Sequence, residues 1–321
     1  MASSYIKQYV FLGTDDVFHY RSKITPHAHF STSANFKMGF QERATNHIID
    51  IETCVIASHK INQEYSKARK KLKGTAGPTS KRSNRKDITL LFREYDGGRI
   101  ETDRTKHVTQ TVNNIKFSYL AGDFFQNNPY VVPLMQKHVV EQSLGHNCSF
   151  LIDAYCGSGL FSLGAASHFQ QVYGIELNDK AIAAARQNAA SNDIRNVLYF
   201  CGSAENIFAE IEALNVPASS SVLVIDPPRK GEREFKRNLS YLLVRYLSKI
   251  CIMLGCDTSF LRQLIRFNPR KIVYISCDPA TQARDAKQIA AAGYDLINVT
   301  PFDMFPQTRH IENIVTFLSR S

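Results

Sequence analysis

Short apolar runs alternate with longer segments of helical periodicity after Pro133, and this alternation limits the folds available to the chain. The runs have the length of single strands, and they cover Phe150 to Ala154, Val172 to Glu176, Val197 to Cys201, Val222 to Asp226 and Ile272 to Ser276. Helix-like segments, such as Asp179 to Asn192 and Pro279 to Ala292, lie between them. Strands that alternate with helices form βαβ units and a parallel sheet. We therefore predict an α/β domain over residues 131–321, preceded by a smaller mixed α/β region over residues 1–130.

The size and charge of the chain fit a globular protein with an anionic partner. Its 321 residues are enough for one large domain or two ordinary ones, and 44% of them are hydrophobic. Lysine and arginine number 39 against 29 aspartates and glutamates, which gives a net charge of +10 and a pI near 9.2. A charge of this sign attracts polyanions. Nucleic acid is the first candidate partner, and a merely basic protein is the alternative.

The sequence contains no signal for a membrane, a metal or secretion. No apolar run approaches the roughly 20 residues that span a bilayer. Met1 to Val10 contain no basic segment followed by a long apolar one, so we expect no secretory signal there. The seven cysteines include no Cys-x-x-Cys pair, which is typical of a reducing compartment and of proteins without a zinc or iron–sulfur site. We expect an intracellular protein with no metal, no membrane contact and no obligate protein partner. The sequence does not choose among cytosol, nucleus and mitochondrion.

One segment is unusually basic. Lys67 to Lys86 contains nine lysines and arginines among glycine, proline, serine and threonine. This composition is typical of solvated, extended chain, so we predict a basic loop over residues 67–86. Contact with RNA phosphates is the functional interpretation of these charges, and a solvated insert without a ligand is the alternative.

A glycine turn follows the first strand of the predicted α/β domain. Asp153 lies at the end of that strand, and Gly157 and Gly159 frame the turn into a helix. Glycines allow positive φ and close approach of a ligand, and Glu176 at the next strand end has the position of a ribose-binding carboxylate. The layout resembles that of Rossmann-like S-adenosylmethionine-dependent methyltransferases. A dinucleotide dehydrogenase is the rival interpretation, but Ser162 stands where its third glycine belongs.

Two further motifs lie at strand ends, where catalytic groups stand in open α/β sheets. VLVIDPPRKG contains Asp226, and IVYISCDPATQARD contains Cys277. A free cysteine is usually an inert buried residue, and we expect this of the other six cysteines. Cys277 differs because it stands between a strand and the start of a helix, where the helix dipole favours a thiolate. Cys277 is therefore the candidate nucleophile.

A series of ordered motifs gives the chain a family resemblance. They are HYRSKITPH at 19–27, GF-ER at 39–43, GDFFQNN at 122–128, DAYCGSG, DPPRKG, SCDPATQARD and the closing PFDMFPQTRHIENIVTF. Together they resemble the RNA uracil-5-methyltransferases, most of all the eukaryotic tRNA enzymes. The resemblance implies a Rossmann-like S-adenosylmethionine-dependent methyltransferase domain and conversion of a tRNA uridine, the one in the T-loop, to 5-methyluridine. The absence of a cluster-binding cysteine set argues against the iron–sulfur bacterial ribosomal relatives.

The resemblance also implies a mechanism. C5 of uracil is a poor nucleophile, so Cys277 first adds to C6, and the resulting enolate takes the methyl group at C5. A base then removes the C5 proton, and Cys277 is eliminated. The base maps onto Glu312 in RHIENIV, which on structural grounds alone would be interpreted as one more surface carboxylate.

Other site residues are carried over from the family position by position. The S-adenosylmethionine contacts map onto Gln126, Tyr155, Glu176 and Asp226, with Gly157 and Gly159 in the close turn. Asp153 is expected to support that turn. Phe124 matches an aromatic residue that stacks near the target base, although an aromatic residue is ordinarily part of a core. Arg229 and Lys230 either contact RNA phosphates or stay solvated.

Two departures from the family pattern bear on the expected activity. Residues 232–255 interrupt RKG-CDTSFLRQL, and their apolar residues recur at helical spacing. We interpret them as an added amphipathic helix or, alternatively, as the product of an unspliced intron. Relatives also carry more sequence ahead of HYRSKITPH, including a small RNA-binding β-barrel. The chain is therefore also interpretable as a fragment or short isoform with weaker tRNA binding.

Three alternative functions stay open at this point. The first keeps the enzyme class and makes ribosomal RNA the substrate. The second is a catalytically weak RNA-binding protein or tRNA-folding factor, which the insert and the short front would favour. The third is a small-molecule methyltransferase, which is disfavoured by the positive charge and by a cysteine nucleophile that simple N- or O-methylation does not need.

Overall fold

The computed structural model describes residues 13, 16–29, 36–42, 45–75, 87–202, 211, 214–227 and 258–321. The chain divides into two compact units. One, called the front unit, consists of Thr14–Val132 together with Pro306–Thr308. The second unit consists of the remaining residues. The short segment at 306–308 belongs to the front unit, where the Tyr20 hydroxyl donates a hydrogen bond to the Pro306 carbonyl at 2.9 Å. This return of the chain to the front unit is not evident from the sequence.

The described part of the front unit combines short antiparallel strands with one long helix. The strands are β1 (Lys23–Ile24), β2 (His27–His29), β3 (Lys37–Gln41), β4 (Ile48–Asp50), β5 (Asp87–Thr89), β6 (Phe92–Tyr95), β7 (Arg99–Glu101), β8 (His107–Val112) and β9 (Ile115–Leu120). They form three sheets in the orders β1-β6-β7, β4-β3-β2-β5 and β8-β9. Helix α1 (His59–Thr75) contributes Ile61 and Tyr65 to a core that also contains Ile24, Met38 and Phe92.

Helix α1 shows that the predicted basic loop over residues 67–86 is wrong in its first part, because residues 67–75 are helical. Apolar side chains recur at helical spacing along α1 and are buried or half-buried: Ile61, Tyr65, Ala68 and Leu72. Burial of this stripe stabilises the helix, and lysine itself is a good helix former. The apolar spacing was the available signal, and the lysine content obscured it. Residues 76–86 lie outside the described residues.

The second unit is organised around a seven-stranded sheet. Its strands are β10 (Phe150–Ala154), β11 (Gln171–Glu176), β12 (Val197–Cys201), β13 (Ser221–Ile225), β14 (Lys271–Ser276), β15 (Tyr294–Phe302) and β16 (Glu312–Ser319). They lie in the order β12-β11-β10-β13-β14-β16-β15. The pairs from β12 to β14 are parallel, whereas β16 runs antiparallel to β14 and β15. The predicted α/β fold with a mainly parallel sheet is confirmed.

Helices connect the strands of this sheet. They are α2 (Val132–Ser143), α3 (Leu160–Ala165), α4 (Asp179–Ser191), α5 (Thr258–Phe267) and α6 (Pro279–Ala291). The five predicted strands and both predicted helices agree with the observed bounds to within one residue, whereas β15 and β16 were not predicted. Within the described ranges, no helix is long and apolar enough to cross a membrane.

The central strands are covered on both faces, which explains their continuous apolar sequences. Every residue of β13 and β14 is buried. Phe260 and Leu264 of α5 and Ile289 of α6 pack into one cluster with Ile225 and Tyr274 of the sheet. This packing fixes the strand ends from which the polar loops emerge.

The order of the strands defines where a ligand can bind. From β10 the chain proceeds through β11 and β12 on one side, and it then crosses to β13 and β14 on the other side. Such a reversal opens a crevice at the carboxyl ends of the two strands that flank it, here β10 and β13. Open α/β sheets bind their ligands in this crevice, so the residues after Ala154 and Ile225 are the first candidates.

Candidate active site

Three of the residues predicted to contact a cofactor lie in one row at the carboxyl edge of the sheet. Strand β10 is in register with β11 and β13 up to its last residue, Ala154. The next positions in that register are therefore Glu176, Tyr155 and Asp226, on three neighbouring strands. With strands about 4.8 Å apart, the row from β11 to β13 is roughly 10 Å wide. The row borders the crevice between β10 and β13.

The glycine turn lies directly beside this row. Gly157 has φ +54° and Gly159 has φ +94°, and residues other than glycine rarely adopt this backbone region. A Cβ on Gly159 would lie 2.6 Å from the Tyr199 hydroxyl, whereas a Cβ on Gly157 would meet no atom within 4 Å. The turn therefore needs both glycines for their conformation, and the space next to Gly157 is open to a ligand.

Glu176 is held by backbone donors on both of its carboxylate oxygens. The Gly157 N–H donates to Oε2 at 3.3 Å, and the Asn178 N–H donates to Oε1 at 2.9 Å. These bonds orient the carboxylate between the glycine turn and the start of α4. Each oxygen keeps a lone pair, because a carboxylate accepts about four hydrogen bonds. Glu176 can therefore still accept hydrogen bonds from a ligand hydroxyl group.

Two aspartates with raised pKa values, Asp153 and Asp226, give the crevice its electrostatic character. Asp153 is fully buried, and the Ser162 N–H donates to its Oδ2 at 2.8 Å. Its Oδ1 has no hydrogen-bond partner among the described residues. Burial raises the pKa of Asp153 to about 7, and burial likewise raises the pKa of Asp226 to about 7. Carboxyl groups in such surroundings are stabilised by hydrogen-bond donors, so the crevice suits a ligand with hydroxyl or amine groups.

The predicted nucleophile follows strand β14, and the predicted base is the first residue of the neighbouring strand β16. Strands β14 and β16 pair antiparallel, and their last pair is Ser276 with Asn313. Cys277 directly follows Ser276 and Glu312 directly precedes Asn313, so both residues adjoin the last pair of the ladder. The thiol and the carboxylate are therefore placed at the same end of the β14–β16 pairing.

The surroundings of the two side chains differ. Cys277 is half-buried, and Glu312 is only 7% exposed and is also paired across the sheet with Phe302 of β15. Asp278 caps helix α6 by accepting hydrogen bonds from the backbone of Ala280 and Thr281. The predicted position of Cys277 between a strand and a helix start is thus confirmed.

The other cysteines only partly match the expectation that they are inert and buried. Cys156 is buried, and burial raises the pKa of its thiol well above the usual value. Cys54 and Cys148 are half-buried. Cys201 is exposed, which corrects the prediction, because it is the last residue of the edge strand β12. Cys251 and Cys256 lie outside the described residues.

The predicted residues Phe124 and Gln126 lie in the front unit, on the loop that follows β9. Phe124 is 74% exposed, so it is not the core residue that its type suggests, whereas Gln126 is buried at 7%. An exposed phenyl ring on an ordered loop is available for stacking on an unpaired base.

One buried and one half-buried cation hold this loop by its backbone. The Arg93 guanidinium is fully buried and donates to the carbonyls of Ala121 at 3.1 Å and Asp123 at 2.7 Å. Lys23 Nζ donates to the carbonyls of Gly122 at 2.9 Å and Asp123 at 2.8 Å, and burial lowers its pKa to about 8. Neither role is evident from the sequence. Lys23 lies within the HYRSKITPH motif, whereas no local signal marks Arg93 as buried.

Some predicted features cannot be located. Arg229, Lys230 and the insert at residues 232–255 lie outside the described residues. In the part of the chain that the structure describes, no group of three or more histidine, cysteine, aspartate or glutamate side chains is arranged to hold a metal ion.

Comparison with solved structures supports the fold. The chain is similar to the crystal structure of the Pyrococcus abyssi tRNA (uracil-54, C5)-methyltransferase in complex with S-adenosyl-L-homocysteine, with a TM-score of 0.67. The superposition covers 97% of this chain and 79% of that one, at 18% sequence identity. At this identity the likeness concerns the fold alone.

Comparison of sequences identifies the family. The chain is 35% identical to the tRNA (uracil(54)-C(5))-methyltransferase of Schizosaccharomyces pombe, over 95% of this chain and 55% of that protein. It is 27% identical to the enzyme of the same name from Saccharomyces cerevisiae, over 92% of this chain and 52% of that protein. The chain thus spans about half the length of these relatives. The family model for tRNA (uracil-5-)-methyltransferases matches residues 50–321, and the chain belongs to this family.

Proposed function

We propose that the protein transfers a methyl group from S-adenosylmethionine to C5 of a uridine in tRNA, the uridine of the T-loop, and so forms 5-methyluridine. The observation that carries this proposal is the position of Cys277 and Glu312 at the end of the β14–β16 pairing, beside the row of Glu176, Tyr155 and Asp226. A nucleophile, a base and a ligand crevice thus share one edge of the sheet.

The reaction needs both side chains in sequence. The Cys277 thiolate forms a bond to C6 of the uracil, and the C5–C6 electron pair becomes an enolate. C5 then attacks the methyl carbon, and the sulfonium sulfur leaves with the bonding electrons as S-adenosylhomocysteine. Glu312 takes the proton from C5, the C5–C6 double bond forms again, and the C6–S bond breaks to release the thiolate. The carboxylate ends protonated and returns the proton to water.

The crevice residues fit the co-substrate by their chemistry. Glu176, oriented by two backbone donors, suits the ribose hydroxyls, and Asp226 suits the amine donor of an adenine or an amino acid. The open space next to Gly157 admits the ligand close to the backbone. Gln126 is proposed as a further contact from the resemblance, and its test is a raised KM for S-adenosylmethionine in Gln126→Ala.

The choice of tRNA follows from the relatives and from the charge. Both fungal relatives are named as tRNA enzymes, and a net charge of +10 favours a polyanionic substrate. The target base has to leave the RNA stack to reach Cys277, and such flipped bases are held by aromatic stacking. Exposed Phe124 is the residue we propose for that contact.

A methyl-transfer assay tests the proposal. The chain is incubated with labelled S-adenosylmethionine and either unmodified tRNA or ribosomal RNA transcripts, and the product nucleosides are separated. We expect 5-methyluridine in tRNA only. Methylation of ribosomal RNA alone would establish the first alternative, and RNA binding without any methyl transfer would establish the RNA-binding isoform. A version without residues 232–255 is assayed in parallel, and activity in that version only would identify the insert as inhibitory.

The exposed face of α1 is the surface that we propose for the RNA backbone. Four exposed lysines lie in its second half and are named the lysine face: Lys67, Lys70, Lys71 and Lys73. Arg69 is not part of it, because its guanidinium forms a bidentate ion pair with Asp50 at 2.6 and 2.7 Å. Glu64, the one acidic residue of the helix, pairs with Lys67 at 2.7 Å, so no acidic residue of the helix is left to compensate the other three lysines of this face.

Replacing the lysine face by four alanines is expected to weaken tRNA binding by about tenfold or more and to reduce the salt dependence of binding, because each phosphate contact contributes to that slope. The rate at saturating tRNA should not change, since alanine preserves the helix. Filter binding at several salt concentrations measures the effect. A matched control removes the same charge from exposed lysines elsewhere: Lys106, Lys116, Lys137 and Lys287. Equal weakening by both variants would contradict a specific surface.

A further inference from the structure

The side chain of Gln282 joins the two strands that carry the candidate nucleophile and base. Gln282 lies in the first turns of α6 and is 1% exposed. Its Nε2 donates to the carbonyl of Tyr274 in β14 at 2.8 Å and to the carbonyl of Asn313 in β16 at 3.1 Å. The Asn313 Nδ2 donates in return to Gln282 Oε1 at 2.6 Å. We call this arrangement the Gln282–Asn313 clamp.

The clamp acts where the strand pairing ends. The last pair of β14 and β16 is Ser276 with Asn313, and Cys277 and Glu312 lie one position further. Asn313 is the direct neighbour of Glu312 in the chain. A buried amide that bonds both strands at this point limits how far the start of β16 can move away from β14. It therefore limits the movement of Glu312 relative to Cys277.

Cys277 has anchors that do not depend on the clamp. The Asp278 N–H donates to the Ser276 hydroxyl at 3.1 Å, and that hydroxyl donates to the Asp278 carbonyl at 3.2 Å. The Asp278 side chain also caps α6 through Ala280 and Thr281. The turn that carries the thiol is thus fixed locally on both sides. Loss of the clamp should therefore displace Glu312 more than Cys277.

We propose that Gln282 is a positioning residue that holds Glu312 at the C5 proton of the methylated uracil adduct. The inference rests on the proposed function and adds a residue to it. Gln282 serves the last step, in which the C5–H electron pair forms the C5–C6 double bond and the C6–S bond to Cys277 breaks. Bond formation between Cys277 and C6 does not need it.

The variant Gln282→Met tests this role, because methionine keeps the volume and the unbranched shape of glutamine but removes the amide. We expect turnover on tRNA to fall by about tenfold to a hundredfold, since small misplacements of a catalytic group have effects of this size. A methylated, covalent protein–RNA complex should accumulate on denaturing gels. On tRNA containing 5-fluorouridine, whose C–F bond a base does not break, the variant should form the covalent complex as fast as the parent. Gln288→Met, at an exposed position of the same helix, is the matched control and should behave as the parent.

Several results would contradict the proposed role of the Gln282–Asn313 clamp. Equal slowing of complex formation on 5-fluorouridine tRNA would mean that Gln282 acts on the nucleophile or on folding. Reduced turnover without accumulation, or unchanged turnover, would also contradict it. Asn313→Ala removes the other amide and should shift the same readouts in the same direction, which covers the case that Gln282→Met does not fold.

A parent that forms neither product nor complex would overturn the proposed function. An active parent with an unaffected variant would overturn only the proposed role of the clamp.

Discussion

Replacing Cys277 by alanine is expected to abolish methyl transfer to tRNA and to leave tRNA binding intact. Without a thiolate at C6 no enolate forms, and C5 stays too poor a nucleophile to take a methyl group. The loss should reach at least about a thousandfold, as is typical when a covalent nucleophile is removed. The measurements are label transfer to unmodified tRNA and a denaturing gel with 5-fluorouridine tRNA, on which the variant should form no covalent complex.

Cys201→Ala is the matched control for this prediction. Cys201 is also a free cysteine at the carboxyl end of a strand in the same sheet, and it is exposed and therefore accessible to solvent. The alanine variant should keep the activity of the parent. Full activity of Cys277→Ala, or loss of activity in Cys201→Ala, would show that the nucleophile is assigned to the wrong cysteine.

The sequence predicts those parts of the fold whose signals are local. Strands β10, β11, β13 and β14 are continuous apolar runs because both of their faces are covered, so each can be located from its own residues. Edge strand β12 is also an apolar run, although two of its residues are exposed. Strands β15 and β16 carry polar residues such as Asn298 and Thr316 within them, and their place in the sheet depends on antiparallel pairing with distant segments. The neighbourhood of Cys277 and Glu312 results from that pairing. It could be expected from the family resemblance but not from spacing.

Burial of polar side chains is the second property that the sequence does not reveal. Arginine is usually exposed, so nothing in LLFREY indicates that Arg93 is buried and donates hydrogen bonds to the backbone of the Phe124 loop. The same holds for Glu312, which by residue type belongs on the surface and is 7% exposed. Phe124 is the opposite case: its residue type suggests a buried core position, but its side chain is 74% exposed. Each case depends on tertiary packing.

Replacing Glu312 by glutamine is expected to stop the reaction after methyl transfer. Glutamine has nearly the shape of glutamate, so the buried position next to Asn313 should be preserved, but its amide does not accept the C5 proton. Turnover should fall by about a hundredfold to ten-thousandfold, the usual contribution of a general base. A covalent complex that contains the transferred methyl group should then accumulate on ordinary tRNA. Denaturing gels with labelled S-adenosylmethionine measure it.

The order of the steps makes this result specific. Because Cys277 acts before Glu312, the double variant Cys277→Ala, Glu312→Gln should form no complex at all. Glu141→Gln, at an exposed carboxylate that pairs with Lys137 at 3.8 Å, is the matched control and should turn over as the parent does. If Glu312→Gln folds and yet forms no complex, the carboxylate acts before the C5 proton is removed, and its assignment as the base is wrong. If it turns over normally, another group removes the proton, and Gln282 loses its proposed role as well.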